Sequence, residues 1–295
     1  MSTSGEDGIG ATGKERRFRG LADLRLVGQQ VYFEQLNFWL NPVAAFFTLG
    51  FSVVFLVLLG ASTGGAHNHT IGGLRIVQYY VPGFIAYGVM AACFNSLSIS
   101  IVVRRETGLL KRARLAPLPT WILLAAIFAS TLIICLVQVV ILLVIGRIGY
   151  HVALPGAWGA FVVALVVGAA SFTALGVAMS TFIPNQEAGG PVVSVVFFVL
   201  LFFSGLWYPL DPHSGLAHFA SFFPVRHMIL AVFDAFDFGG SGSPWAWHDY
   251  LVMALWGVAG VVLALRRWSW SPRRADRVGD RSRRGSRDRA GIGAG

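Results

Sequence analysis

The sequence predicts an all-α integral membrane protein with six transmembrane helices, an N-terminal interfacial helix and two short external half-helices between the fifth and sixth spans. Three observations carry this. Apolar residues make up 55% of the chain and charged residues 13%, about half the charged share of an ordinary globular domain; the mean hydropathy is +0.66. Six runs near the length that crosses a hydrocarbon core, roughly 20 residues, contain no Asp, Glu, Lys or Arg. Finally, the 23 Lys and Arg residues sit almost entirely in three segments outside those runs. A net charge of +9 could suggest nucleic acid, but confined to membrane flanks it reads as topology, and no nucleic-acid partner is expected.

Residues 1–19 are polar and Gly-rich, with Lys14, Arg16, Arg17 and Arg19. A disordered N-terminus without a cleavable signal peptide is expected there, so the first span must itself direct insertion. Gly8 to Glu15 reads GIGATGKE, close to the phosphate-loop pattern GxxxxGK[ST]. However, Glu15 stands where a hydroxyl must hold magnesium, and no strand precedes it. No nucleotide site or other cofactor is expected on this chain.

Residues 20–268 read as one membrane domain. Residues 21–40 mix Leu24, Val27, Val31, Leu36 and Trp39 with Arg25, Gln29, Gln30 and Glu34, which suits a helix lying along the membrane face. An inward extension of the first span fits equally, with Asn41 and Pro42 as the break. The spans follow at residues 42–60, 77–103, 121–146, 158–182, 191–208 and 250–265. Between the last two, Pro209, Pro212, Pro224 and the glycines Gly239, Gly240 and Gly242 cut the chain into pieces too short to cross. Residues 216–223 and 225–238 are expected as half-helices that dip into the outer leaflet or cap the bundle, their irregular backbone covered by protein. Residues 269–295, rich in Arg, Asp, Ser and Gly, have almost nothing to bury and read as a basic disordered tail.

Cytoplasmic flanks retain Lys and Arg. Residues 1–41 carry five basic residues, residues 104–118 five, and the stretch from Arg266 ten; only Arg75, Arg147 and Arg226 remain for the other side. Both termini are therefore expected in the cytoplasm, and the protein in the cell membrane. Cys93 and Cys135 lie within apolar runs and read as free buried thiols. All seven His residues fall outside the spans, and His67, Asn68 and His69 lack further ligands at a metal spacing. Surface histidines and no metal site are expected.

Polar residues at membrane depth are the candidates for a substrate path. Asn95, Ser96, Ser98 and Ser100 lie in the second span and Gln138 in the third; hydrogen bonding between helices is the default role and lining a path the second. Phe197, Phe198, Phe202 and Phe203 crowd the fifth span, where packing or lipid contact competes with an aromatic wall against an apolar substrate. No span offers an ionisable residue for ion coupling, which counts against an ion-coupled secondary transporter. Nor is there a convergent nucleophile, base or metal set for an intramembrane enzyme.

The cytoplasmic stretch RRETGLLKRARLAPLP, residues 104–119, places Glu106 at the start of a short helix and Lys111, Arg112 and Arg114 toward its end, a polarity that suits the helix dipole. Pro117 and Pro119 then stop it. Together with Tyr79-Tyr80-Val81-Pro82-Gly83, with Phe203-Ser204-Gly205-Leu206-Trp207-Tyr208-Pro209-Leu210 and with Phe223-Pro224, this stretch resembles the type-2 ATP-binding-cassette (ABC) permeases. Those are membrane subunits of exporters of drugs, lipids and glycans. The resemblance spans residues 20–268 and departs at Arg104, where an acid is common, and at Ala116, where a hydroxyl is common.

It implies that residues 105–115 form a coupling helix docking on a separate ATPase, with Arg105, Glu106, Thr107, Gly108, Leu109, Lys111, Arg112 and Arg114 as its contact residues. ATP and magnesium would sit on that partner. It also implies a dimer with a second permease copy or a homologue, embedded among membrane lipids. Glu187, in the turn 184–189, reads as a second cytoplasmic contact or a solvated loop residue.

Overall fold

The structure is a computed structural model and describes residues 8–63, 65–68, 73–107, 120–207, 209–211, 213–238 and 243–267. Apart from a two-residue hairpin, β1 (His67–Asn68) and β2 (Leu74–Arg75), its regular elements are helical. Helix α1 (Gly8–Trp39) runs for 32 residues. Residues 1–7 and the tail from residue 268 lie outside the described residues.

After Asn41 the chain re-enters a helix as α2 (Pro42–Ala45), a π-helical segment Phe46–Gly50 and α3 (Phe51–Thr63). Pro42 opens it because a first-turn N–H has no helical partner to lose. The second span is continuous from α4 (Ile76–Met90) through a π-helical segment Ala91–Ser96 into α5 (Leu97–Glu106). Next come α6 (Thr120–Tyr150), α7 (Trp158–Ser180) and α8 (Gln186–Phe202), the short α9 (Gly215–Ala220), α10 (Pro224–Phe236) and α11 (Trp247–Arg267).

Among the described residues, five helical stretches are long and apolar enough to cross a membrane: Phe46–Thr63, Ile76–Glu106, Ala125–Tyr150, Trp158–Ser180 and Trp247–Arg267. Their outward faces carry Leu136, Val140, Val144, Leu251, Leu255 and Val258, all exposed. Helices that are apolar on both faces belong in lipid, and the protein is a multi-pass membrane protein.

The fifth expected span, 191–208, is displaced: α8 begins at Gln186 and has 17 residues. Two local devices set its bounds. The Asn185 side chain caps the N-terminus by accepting the Ala188 N–H at 2.9 Å. At the other end Gly205 turns the chain with φ +84°, a conformation glycine takes without strain, and its carbonyl accepts the Tyr79 hydroxyl at 2.8 Å.

In the segment expected to hold two half-helices the chain forms the short helices α9 and α10, and α10 lies deep in the bundle. Ten of its 13 residues are buried, packed against α4, α7 and α11. Pro224 starts it and Asp237, left-handed at φ 47°, ends it. The core centres on α4, with Phe84, Ile85 and Met90 fully enclosed. Cys93 and Cys135 are free thiols there, their sulfurs 3.7 Å apart.

Without a hydrophobic drive between helices in lipid, close packing depends on small residues. The most extensive helix pair is α7 with α11. There a Cβ on Gly260 would lie 2.9 Å from the backbone of Ala174 and Leu175. Gly176 is tighter still, since a Cβ would stand 2.6 Å from the Cys93 carbonyl oxygen. Backbone cannot rotate away, so Gly176→Ala is expected to cost about 1–3 kcal/mol, read as a lower melting temperature of the detergent-solubilised protein.

Candidate functional site at the Arg105 end of the bundle

The residues expected to dock an ATPase divide. Arg105, Glu106 and Thr107 are described, whereas Gly108, Leu109, Lys111, Arg112 and Arg114 lie outside the described residues. Glu106, expected to begin a short helix, is the last residue of α5, and Thr107 caps it.

Arg105 differs most from the expectation of a contact residue. It is 3% exposed, and its guanidinium donates to the carbonyls of Ser180 at 3.1 Å and Ile183 at 2.6 Å. Both acceptors sit where α7 ends, where the last carbonyls lack helical partners and the dipole favours a cation. Arg105 therefore clamps α5 to the α7–α8 turn.

Glu187 was expected in a loop but occupies the first turn of α8, exposed, where an acid complements the dipole. Because Arg105 binds Ile183, the end of α5 and the start of α8 lie side by side. The two cytoplasmic contacts expected separately thus share one end of the bundle. Arg267 is there too, its guanidinium 4.6 Å from the Phe182 ring centroid.

Helix α1 is tied to the same end. Both Glu34 carboxylate oxygens accept from the two terminal nitrogens of Arg104, a forked pairing that fixes orientation as well as distance. Gln35 donates to the Ser130 carbonyl of α6 at 2.8 Å. Arg104, the departure from the family pattern, thus has a local partner in α1.

This pair borders a cavity of about 850 Å³, lined by α1 to α6, the two π-helical segments and α8. Along the second span its lining runs from Tyr87 to Thr107, about 30 Å of helix. Its wall alternates polar groups, including Asn95, Ser100, Thr131 and Ser194, with the rings of Phe51, Tyr87, Phe197 and Phe198.

Of the residues considered for a substrate path, Asn95, Ser96, Ser100, Phe197 and Phe198 line a common space. Ser98, Gln138, Phe202 and Phe203 do not. Ser98 is buried within hydrogen-bond reach of the Phe94 and Gly176 carbonyls, joining α5 to α7. Gln138 donates to the Ser52 hydroxyl at 2.6 Å and fills the notch left by Gly88. Phe202 points outward, 56% exposed.

The opposite end holds a polar cluster that the sequence did not suggest. His227 in α10 is 3% exposed, contrary to the expectation of surface histidines. Its Nδ1 lies 2.5 Å from Asp249 Oδ1 and its Nε2 2.7 Å from the Ser221 carbonyl. Burial opposes its charge, yet the Asp249 and Ser221 contacts outweigh that and raise its pKa. Burial, then the Asp249 carboxylate, push Asp234 up to about 6. The pair of basic and acidic side chains in α10 and α11 was detectable only as an adjacent Arg226-His227 and His248-Asp249 in the sequence.

A family model described as ABC-2 family transporter protein matches residues 70–266, more than half of the chain. A search of curated proteins gave no match. The matched stretch includes α4 to α8, the buried α10 and almost all of α11, so it contains the Arg105 clamp and most of the cavity wall. Membership implies an ABC ATPase as partner. The chain belongs to the ABC-2 transporter family and is a membrane subunit of an ABC transporter.

Proposed function

We propose that this chain is the permease of an ATP-driven exporter that moves an amphiphile, such as a drug, a lipid or a lipid-linked glycan, from the cytoplasm or inner leaflet by alternating access. In this reading α8 is the fifth of six spans, both termini are cytoplasmic, and two permeases, identical or homologous, work with two copies of the ATPase. ATP and magnesium stay on the ATPase. Nucleotide binding biases a two-state change through the stretch from Glu106 to Arg114 and through Glu187.

The observation that supports it best is the cavity. Its volume suits a drug-sized molecule or a lipid head with part of its chains, and its mixed wall suits a molecule with one polar and one apolar part. It begins at the end where Glu106 and Glu187 sit, on the side assigned to the cytoplasm by the basic residues. The exposed Val195, Val199 and Phe202 on α8 offer an apolar face for the second permease.

Vesicles containing the chain and its ATPase test this. ATP-dependent movement of a fluorescent amphiphile, unaffected by a proton uncoupler, is the expected result. Movement that needs a proton gradient and ignores ATP would favour the ion-coupled alternative.

A further inference from the structure

We propose that His227, His248 and Asp249 form a zinc site that pins α10 to the start of α11, at the end of the bundle opposite Arg105. The three ligand atoms lie within 4.8 Å of one another. Two imidazoles with one carboxylate suit zinc; calcium and magnesium prefer an all-oxygen set.

The orientation of His227 favours a metal. Its Nε2 faces the Ser221 carbonyl at 2.7 Å, an acceptor only, so this nitrogen carries the hydrogen. A ligating histidine usually donates its second ring N–H in this way, which fixes the ring and directs the other nitrogen to the metal. Nδ1 faces Asp249 Oδ1. Zinc replaces the proton shared by that pair, releasing it to solvent.

Zinc binding requires a local rearrangement. Zinc sits about 2.0–2.2 Å from nitrogen and oxygen ligands, which puts ligand atoms of a tetrahedral site roughly 3.3 Å apart. The Nδ1 to Oδ1 distance of 2.5 Å opens by about 0.8 Å, and His248 Nδ1, at 3.9 Å from the same oxygen, closes by about 0.6 Å. Buried His227 is the fixed ligand. His248, with its side chain 78% exposed, is free to turn toward it; its ring centroid is already 5.5 Å from that of His227. Water takes the fourth position.

The consequence is mechanical. Helix α10 packs against α4 and α7 as well as α11, so a metal joining Asp249 and His248 to His227 restrains a helix that touches three others.

The full-length chain in lipid nanodiscs, stripped of metal, is titrated with zinc against a chromophoric chelator, and its melting temperature is followed in parallel. One zinc per chain and a higher melting temperature are expected, with affinity at least about tenfold weaker in His248→Ala. X-ray absorption should report two imidazoles and one carboxylate, which separates this site from random binding at His67, His151, His213 or His218. Because His248 is exposed, its replacement leaves the metal-free melting temperature unchanged. Equal zinc affinity in the wild type and His248→Ala would overturn the proposal, leaving only a His227–Asp249 ion pair. So would zinc binding that fails to raise the wild-type melting temperature.

Discussion

Arg105→Ala should lower the stability of the solubilised protein by about 2–6 kcal/mol, because two buried carbonyls at the end of α7 lose their donors at about 1–3 kcal/mol each. The guanidinium reaches both Ser180 and Ile183. Lysine is a compact cation without that planar fork, so Arg105→Lys should recover only part of the loss. Fluorescence-detected chromatography after heating gives the melting temperature, and hydrogen exchange at residues 181–187 gives the local effect. A docking residue would behave differently. If Arg105→Ala keeps its melting temperature and loses only the ATPase, the clamp carries no energy and Arg105 belongs to the contact surface after all.

The second large effect is expected inside the cavity. Ser194 lies on α8 and lines it beside Phe197 and Phe198. Ser194→Trp places an indole where an amphiphile would lie, and transport should fall at least about tenfold, since a core-sized obstruction is not relieved by small side-chain shifts. Ser194→Ala should transport normally, and both variants should copurify with the ATPase and show the wild-type melting temperature. Full transport by Ser194→Trp would move the substrate path elsewhere.

Composition alone made five of the expected spans legible, because a helix in lipid must be apolar over a fixed length whatever it packs against. The bounds of α8 were less legible. They depend on Asn185 capping one end and on Tyr79 reaching Gly205 across 126 positions in the sequence. The clamp made by Arg105 was hidden for the same kind of reason: in a run of basic residues it looks like its neighbours, and only the approach of residues 180–183 buries it. Ser98 and Gln138 were easier, since a polar group within an apolar span needs an internal partner. Their partners, the Phe94 and Gly176 carbonyls and Ser52, were not. His227 escaped notice because the proline-bounded segment was read as peripheral, although α10 buries most of its residues.

The second span runs unbroken for 31 residues, from Ile76 to Glu106, about 46 Å of helix. Arg75, hydrogen-bonded to the His151 carbonyl, stands just before one end and Arg105 at the other. Such a strut carries an axial push from one membrane face to the other, except where its compliance is highest. The wide turns of Ala91–Ser96 are where it departs from the α-helical ladder. They sit beside the cavity through Asn95 and Ser96. In the proposed exporter, a displacement imposed near Glu106 would be taken up beside the cavity, and the far end, where Tyr79 donates to the Gly205 carbonyl, would stay still while the cavity changes shape.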